Sequence, residues 1–392
     1  MYICVMIPRQ ISSKIFEHVK KMPVLAITGP RQSGKTTLVK HLFPNYSYLN
    51  LENLVEREFA ETDPIGFLKN HPKGLILDEI QNVPELFSFI QTIVDDTGEQ
   101  GKFVLTGSNN FLLLEKITQS LAGRVTIFHL LPFSLRELAA SKISFRHYEE
   151  ILWKGFYPRL HDKKLMPSDI YPSYIQTYIE RDLRKLINVK NLSQFQRFLR
   201  LCAGRIGQIV NFSNISTETG VDYKTIQNWL SILETSYIVY TLPAWYENFN
   251  KRITKSPKLY FYDTGIACYL LAINSTNDLD VHFAKGALFE NMIMNEIRKS
   301  YHNHNISSRM YFWRENNGIE IDLILDKGNK FIPIEIKSGR TINQDFFKNL
   351  LAIKKLGKNK IENLFLIYGG EEDQERSDVS VRSWKNLPDI VK

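Results

Sequence analysis

The sequence contains little cysteine and no long uncharged apolar run. Its three cysteines, Cys4, Cys202 and Cys268, stand far apart and form no Cys-x-x-Cys pair. This spacing indicates neither a disulfide framework nor a zinc site built from paired cysteines. No stretch reaches the roughly 18 uncharged apolar residues that a membrane span needs. The apolar run at the start has no basic region before it, so we expect no secretory signal and a cytoplasmic protein.

The remaining composition is that of a globular protein with a moderate basic excess. Hydrophobic residues make up 43% and charged residues 23% of the 392 residues, and the formal net charge is +8. At about 100–200 residues per domain, the length predicts two to four domains. The basic residues concentrate between about residues 181 and 258. Such a localised patch favours a nucleic-acid partner, and solvated helix faces are the alternative.

Short apolar runs alternate with helical patterns from the start to about residue 142. The runs are hydrophobic on both faces, which is typical of a parallel sheet covered by helices. After this α/β region the pattern becomes helical, and a second series of helices and strands begins at about residue 281. The predicted strands of the first region are VLAIT at 24, SYLNL at 47, GLILD at 74, KFVLTG at 102 and VTIFHL at 125.

Residues 29–36 read GPRQSGKT, the pattern of a phosphate-binding loop, between a predicted strand and a predicted helix. The loop N–H groups and the helix N-terminus would bind phosphate oxygens. Lys35 would reach the β and γ phosphates, and the Thr36 hydroxyl would ligate Mg²⁺. Arg31 would face a phosphate or an adjacent carboxylate. The predicted nucleotide-binding residues are Gly29, Pro30, Arg31, Gln32, Ser33, Gly34, Lys35, Thr36 and Thr37.

Polar residues at the ends of later strands complete the predicted hydrolytic site. Asp78 and Glu79 follow the strand GLIL; Asp78 would hold Mg²⁺ or its water shell, and Glu79 would polarise the attacking water. The alternative for this acidic pair is a helix N-cap. Ser108 and Asn109 follow FVLTG and would lie beside the γ phosphate if that strand neighbours the other two. Arg124 would donate charge to the transition state in its own or a neighbouring subunit, or is an ordinary surface arginine.

The motifs GPRQSGKTT, LILDEIQ, LTGS, SLAGR and LPFSLREL resemble those of prokaryotic AAA-type ATP-binding proteins. The resemblance continues through YIERDLRKL, NWLSILETSYIV, KSPKLYFYDTG, GALFEN and IEIKS, so it covers nearly the whole chain. It implies ATP rather than GTP, and a C-terminal domain of unknown function grouped with restriction-endonuclease-like folds. We therefore predict an AAA-type P-loop core at 1–142, a helical lid at 143–194, a winged helix-turn-helix at 195–262 and a small α/β domain at 263–392.

The segment FSNISTETGVDYKTIQNWLSIL predicts a helix-turn-helix around Gly220. Ser213 and Asp222 are predicted N-caps. The predicted core of this unit is Ile215, Val221, Ile226 and Leu230.

Two groups of residues in this region are candidates for DNA contact, and packing or oligomerisation is the alternative role. The second helix would present side chains that can contact phosphates or base edges; these are Tyr223, Lys224, Gln227 and Asn228. The next strand and a basic hairpin would form the wing, with the cations Lys251, Arg252, Lys255 and Lys258. The aromatic residues Tyr223, Trp229, Trp245 and Tyr246 are more typical of core or surface anchors than of base-stacking platforms.

The sequence predicts that two carboxylates converge in the last domain. A turn at residues 326–329 would pair Leu325 with Lys330, which places Asp322 diagonal to Glu335 on one face. Such a pair can hold Mg²⁺ or Mn²⁺ while a nearby lysine stabilises charge on phosphate.

This arrangement resembles the PD-(D/E)XK nuclease constellation. Asp322, Glu335 and Lys337 match its acids and lysine, and Glu290 matches the acid on the preceding helix. The carbonyl of Ile336 would be a further ligand.

The C-terminal resemblance leaves alternatives open. No proline precedes Asp322, and Glu320 lies on the same face, so the acid position could shift by two residues. A buried ion network with Lys337 and Arg314 is the alternative to a metal site. One hypothesis is therefore an ATP-driven enzyme that binds and cuts DNA. The other is a regulatory ATPase whose C-terminal parts bind partners or oligomerise without catalysis.

Overall fold

The chain forms two compact units in a computed structural model that describes residues 6–107, 110–183, 191–245, 256–315, 318–357 and 360–388. The first unit comprises Met1–Ser141 with the short segments Thr235–Tyr237 and Tyr301–Ile306, and the second contains the other residues. No helix among the described residues combines the length and apolar character that crossing a membrane requires.

The first unit alternates strands and helices, as the sequence pattern predicts. All strand pairs of its sheet are parallel, and the order is β2-β3-β4-β1-β5. The predicted parallel α/β sheet is therefore confirmed. The elements are α1 (Ser12–His18), β1 (Val24–Thr28), α2 (Lys35–Leu42), β2 (Ser47–Asn50), α3 (Leu54–Thr62), α4 (Pro64–Lys69), β3 (Leu75–Asp78), a 3₁₀ turn (Ile80–Asn82), α5 (Leu86–Thr97), β4 (Phe103–Thr106), α6 (Asn110–Ser120), β5 (Val125–His129) and α7 (Leu135–Ala140).

The sheet of the first unit is covered by apolar side chains on both faces. Val24 and Ala26 of β1 pack on one face with residues of α5 and α6. Leu25 and Ile27 pack on the other face with α1 and α2. Successive side chains of a strand point to opposite faces, so a strand buried on both must be apolar throughout. This explains why uninterrupted apolar runs mark the central strands.

The second unit begins with helices and ends with a mixed sheet. A short antiparallel pair, β6 with β7, lies between them in the chain. The elements are α8 (Tyr148–Lys154), α9 (Pro158–Asp162), α10 (Pro167–Tyr174), a π-helix (Ile175–Leu183), α11 (Leu192–Ala203), α12 (Phe212–Thr219), α13 (Tyr223–Thr235), β6 (Val239–Leu242), β7 (Lys258–Phe261), α14 (Thr264–Leu270), α15 (Thr276–Val281), α16 (Lys285–Asn303), β8 (Met310–Arg314), β9 (Glu320–Asp326), β10 (Phe331–Lys337), a 3₁₀ turn (Gln344–Phe347), α17 (Lys348–Gly357), β11 (Phe365–Tyr368), β12 (Gln374–Glu375) and β13 (Ser380–Ser383).

Helices α12 and α13 flank Gly220, which adopts a left-handed φ of 67°. The Asp222 carboxylate accepts a bond from the Thr225 N–H at 3.0 Å, so its prediction as a cap is confirmed. The prediction of Ser213 as the N-cap of α12 is wrong. The side chain of Asn211 accepts a hydrogen bond from the Asn214 N–H, so the N-cap lies two residues earlier than predicted. Three of the predicted core residues are buried and Val221 is half-buried; the buried three are Ile215, Ile226 and Leu230.

The C-terminal sheet has the order β12-β13-β11-β10-β9-β8. Its central hairpin, β9 with β10, pairs Asp326 with Phe331 and Leu325 with Ile332. The predicted pairing of Leu325 with Lys330 is therefore wrong by two residues. The Asp326 carboxylate accepts from the Gly328 N–H at 2.8 Å, which starts the turn one residue later than predicted. A shift of two keeps every side chain on its predicted face and brings Asp322 directly opposite Glu335.

Candidate nucleotide site and carboxylate cluster

The phosphate loop lies at the carboxyl end of β1 and leads into α2. Gly29 and Gly34 have φ values of 144° and 95°, which side chains disfavour. A Cβ on Gly29 would lie 2.2 Å from the carbonyl oxygen of Leu130. Gly34 is the N-cap of α2. The N–H groups of the first helical turn, which lack partners within the helix, are therefore next to the loop. Both glycines thus meet a backbone requirement of a phosphate site.

Lys35 is buried within the loop. Its Nζ donates bonds of 2.9 Å to the carbonyl oxygens of Gly29 and Pro30. Burial lowers the pKa of Lys35 to about 8, although the nearby Glu79 and Asp78 oppose that shift. A phosphate beside this ammonium would stabilise its charged form further. The lysine is therefore held where an anion in the loop would meet it.

Asp78 accepts hydrogen bonds from three hydroxyl groups. The Thr36 Oγ1 and the Tyr48 hydroxyl each donate to its Oδ2 at 2.7 Å, and Thr106 Oγ1 donates to Oδ1. The structure thus brings together the hydroxyl and carboxylate that the sequence assigns to Mg²⁺. Both are hard oxygen donors of the kind that Mg²⁺ requires, so the residues fit the ion. Sequence reasoning missed Tyr48 on β2 and Thr106 on β4.

Glu79 adopts a left-handed φ of 55°, which is uncommon for a residue with a side chain. Its carboxylate accepts a bond from the Gln81 amide, a residue that sequence reasoning did not select. A Cβ on Gly107 would lie 2.4 Å from the Gln81 Oε1, so a side chain there would displace this amide. A left-handed backbone such as that of Glu79 is strained, and strain of this kind recurs at functional sites. The geometry accords with the role predicted for Glu79, which stays a prediction.

Strand β4 lies between β1 and β3, so the condition set for Ser108 and Asn109 is met. Because the carboxyl ends of parallel strands meet at one edge, β4 ends at the same edge as the phosphate loop. Both residues lie outside the described ranges, and their roles stay predictions.

Arg124 does not reach the phosphate loop of its own chain. It precedes β5 at the amino ends of the strands, where its carbonyl accepts from the Val24 N–H at 3.2 Å. The loop follows the opposite end of β1. The guanidinium binds the Asp95 carboxylate at 2.5 and 2.8 Å. The predicted role within the same chain is therefore wrong, whereas the role toward a neighbouring subunit stays a prediction.

A buried arginine outside the motif supports the phosphate loop. Arg9 donates from Nη1 to the Ser33 carbonyl at 2.9 Å and from Nη2 to the Leu131 carbonyl at 2.5 Å. Its Nε lies 3.1 Å from the Glu137 Oε1. The guanidinium therefore ties the middle of the loop to the chain beyond β5. The glycine and lysine pattern contains no signal for this contact, because the partners are far apart in sequence.

In the second unit, Asp322 and Glu335 lie on the same face and share Lys337. The lysine Nζ is 2.7 Å from the Glu335 Oε1 and 3.6 Å from the Asp322 Oδ2. The Ile336 N–H donates to the same Asp322 oxygen at 2.8 Å. The predicted convergence of two carboxylates and a lysine is therefore present.

Glu335 has capacity for a further ligand. It is 2% exposed, and its Oε2 has no hydrogen-bond partner among the described residues. Burial, and next the charge of Asp322, raises the pKa of Glu335 to about 8. A divalent cation would satisfy the unpaired oxygen, so the residues fit such an ion. The described residues contain no group of three or more His, Cys, Asp or Glu side chains arranged to hold a metal.

Glu290 and Glu320 form a second carboxylate pair, bridged by Lys258. The lysine Nζ lies 2.5 Å from the Glu320 Oε1 and 3.7 Å from the Glu290 Oε1. Burial and Asp322 raise the pKa of Glu290 to about 7. Glu320 is thus engaged by Lys258, while Asp322 is the acid opposite Glu335. The prediction of Lys258 as a wing cation for DNA contact is wrong, because its side chain is buried and pairs with these two carboxylates.

The outward residues predicted for α13 are exposed; they are Tyr223, Lys224, Gln227 and Asn228. Trp229 is buried, with its ring centroid 5.2 Å from that of Phe195, so it is a packing anchor. Strands β6 and β7 are antiparallel and bracket the predicted wing. Its predicted tip lies outside the described residues, together with Tyr246, Lys251, Arg252 and Lys255.

Three family descriptions match successive parts of the chain. Residues 21–139 match an AAA domain, which makes this part a P-loop AAA-type ATPase domain. Residues 145–277 match a Domain of unknown function (DUF8612), and residues 285–387 match a Domain of unknown function (DUF4143).

Two proteins that resemble this chain over most of its length are named uncharacterized proteins. An uncharacterized protein of Mycobacterium tuberculosis is 27% identical over 382 residues, covering 96% of this chain and 84% of that protein. An uncharacterized protein of Haemophilus influenzae is 21% identical, covering 84% of this chain and 86% of that protein.

Solved structures with some likeness include a Walker-type ATPase of Pyrococcus abyssi. It is 15% identical with a TM-score of 0.46, covering 68% of this chain and 96% of its own. The RuvB Holliday junction branch migration motor of Thermotoga maritima is 18% identical with a TM-score of 0.31, covering 59% and 89%. Likeness this distant carries no argument about function.

Proposed function

We propose that this chain, whose residues 21–139 form an AAA-type P-loop ATPase domain, is a Mg²⁺-dependent ATPase that acts on DNA. The observation that carries the proposal is the arrangement at Asp78. This carboxylate and the Thr36 hydroxyl are 2.7 Å apart, directly beside the loop that encloses Lys35. The N–H groups of the loop and the Lys35 ammonium would hold the phosphates of ATP.

The residues around the loop would divide the work of hydrolysis. Thr36 and Asp78 would hold Mg²⁺, which offsets phosphate charge when bound. Glu79 would accept a proton from the attacking water. Ser108 and Asn109 would contact the γ phosphate. If Arg124 acts on the ATP of a neighbouring copy, the chain works as a homo-oligomer.

The second unit would supply a metal-dependent phosphodiester cleavage site. Asp322 and Glu335, with the Ile336 carbonyl, would hold Mg²⁺ or Mn²⁺, which would lower the pKa of a bound water. Lys337 would stabilise charge developing on the phosphate, and Glu290 would support the site from α16. The unpaired Oε2 of Glu335 and the position of Asp322 directly opposite it support this reading.

A regulatory ATPase with a non-catalytic second unit is the alternative. It is favoured by the ion pairs of the cluster, in which Lys258 and Lys337 each bridge two carboxylates. Such a network is also what a structural role would produce. In that case the exposed face of α13 would bind a partner or a second copy.

Lys224 tests the proposed DNA contact. Its exposed ammonium on α13 would contact a phosphate and release counterions, so Lys224→Ala should weaken DNA binding at low salt. The slope of log affinity against log salt should fall by about 1. The measurement is fluorescence anisotropy of a labelled DNA duplex with the full chain across a salt series.

Lys355→Ala is the matched control, because Lys355 is an exposed lysine of α17 outside the proposed interface. It should leave the slope unchanged. An unchanged slope in Lys224→Ala, or an equal change in both variants, would count against a DNA-binding α13.

A further inference from the structure

The carboxylate cluster of the second unit consists of two carboxylate pairs, and each pair is bridged by one lysine. The two pairs differ in whether a carboxylate oxygen remains available to a metal ion. One pair is Asp322 with Glu335, bridged by Lys337. The other is Glu290 with Glu320, bridged by Lys258. Whether each pair has room for a metal therefore depends on its lysine.

Lys258 is enclosed at its position. It is 3% exposed, and its Nζ lies 5.4 Å from the centroid of the Phe312 ring. Tyr260, two residues along β7, donates from its hydroxyl to the Glu290 Oε1 at 2.5 Å. The lysine is therefore fixed between the two carboxylates by a strand, an aromatic ring and a neighbouring hydroxyl.

Lys337 is held less firmly. Its side chain is 31% exposed, so its ammonium can move away from the carboxylates into solvent when another cation takes its place there. Its partner Glu335 is almost fully buried, and its Oε2 accepts no hydrogen bond from the part of the chain that the structure describes. The pair of Asp322 and Glu335 therefore has an oxygen that can accept a further cation. The pair of Glu290 and Glu320 already encloses a fixed cation, the ammonium of Lys258.

A lysine ammonium and a divalent metal ion satisfy neighbouring carboxylates in the same way, because both are compact cations. Two-metal phosphodiesterase sites place their ions about 3.5–4 Å apart, with carboxylates around both. We propose that the ammonium of Lys258 occupies the place of a second divalent cation, between Glu290 and Glu320, so that the cluster takes one metal ion, at Asp322 and Glu335. This inference rests on the metal site proposed above. It also makes Lys258, which lies in the part of the chain before the final domain, a positioning residue of that site.

Removing the ammonium should open the second position. Lys258→Met keeps a long unbranched side chain and leaves Glu290 and Glu320 without their shared cation. The expected result is a change from one bound Mn²⁺ to two. Lys258→Arg is the matched control and should keep one, because its guanidinium still pairs with both carboxylates.

The measurement is a Mn²⁺ titration of the full chain followed by electron paramagnetic resonance, without nucleotide. All proteins carry Asp78→Asn, so that the phosphate site lacks the carboxylate proposed to hold its metal ion. Circular dichroism verifies folding, and Lys258→Gln, which can hydrogen bond to Glu320, replaces the Met variant if that one unfolds.

The outcomes separate this inference from the proposed function. Two ions in the Asp78→Asn parent, or one ion in the neutral Lys258 variant that folds, would overturn the inference and leave a metal site at Asp322 and Glu335. No ion in the parent or in either neutral variant would contradict the proposed metal site, and the inference with it. Glu335→Gln in the parent should lose the single ion; retention of that ion would contradict the proposed ligands.

Discussion

Replacing Glu79 with Gln is expected to lower the ATP turnover of the full chain at least ~100-fold, because a general base contributes about 10²–10⁴ in rate. The amide keeps the size of the carboxylate and cannot accept a proton from water. Lys35, Thr36 and the loop glycines remain, so ATP affinity should change less than about threefold. Phosphate release under saturating Mg²⁺-ATP measures turnover, and a fluorescent ATP analogue measures binding.

Glu58→Gln is the matched control, since Glu58 is an exposed carboxylate on α3 of the same unit. It should turn over ATP like the wild type. Wild-type turnover in Glu79→Gln would remove Glu79 from the mechanism. Loss of binding together with turnover would indicate that Glu79 shapes the loop instead of activating water.

Asp322→Asn is expected to lower plasmid cleavage by the full chain at least ~100-fold in Mg²⁺ or Mn²⁺, since the lost metal contact is worth several kcal/mol. The amide oxygen can still accept from the Ile336 N–H, which lies 2.8 Å from the carboxylate. The variant should therefore fold while binding the cation more weakly. Conversion of supercoiled to nicked plasmid, with and without ATP, measures the effect.

Asp326→Asn provides the control, because Asp326 is the last residue of the same strand and its carboxylate starts the turn of the hairpin. Cleavage should persist in this variant. Equal cleavage by Asp322→Asn and the wild type would disprove the nuclease proposal. A wild-type chain that hydrolyses ATP and leaves plasmid intact would favour the regulatory alternative.

The central strands of the first unit, β1, β3 and β4, could be predicted from the sequence because each is buried on both faces. Val24–Thr28 and Phe103–Thr106 coincide closely with the apolar runs VLAIT and KFVLTG. The phosphate loop was also predictable, since its glycines serve a local backbone need. Features that depend on a few neighbouring residues could thus be predicted from the sequence.

The ends of helices and strands were harder to predict, since several neighbouring residues could cap a helix or start a turn equally well. Asn211, Ser213 and Asn214 can all cap a helix, and the structure selects Asn211. The hairpin of the last domain could turn at residues 326–329 or 327–330, and the Asp326 side chain selects the second. Alternation of side chains preserved the prediction of the carboxylate face, because an even shift does not change it.

Contacts between residues far apart in the chain could not be predicted from the sequence. Tyr48 and Thr106 reach Asp78 only because their strands flank β3, and their residue types carry no signal of that role. Lys258 resembled its basic neighbours in sequence, yet Glu290 and Glu320 surround it. The same limit applies to Arg124, whose position at the amino end of β5 depends on the sheet.

The most direct test of the central claim is the rate of phosphate release from ATP by the purified full chain, compared with Lys35→Ala. We expect turnover by the wild type that stops when EDTA removes Mg²⁺, and a fall of at least ~100-fold in Lys35→Ala, because the ammonium that would contact the phosphates is lost. Release at the same rate by both proteins, or release that continues in EDTA, would contradict it.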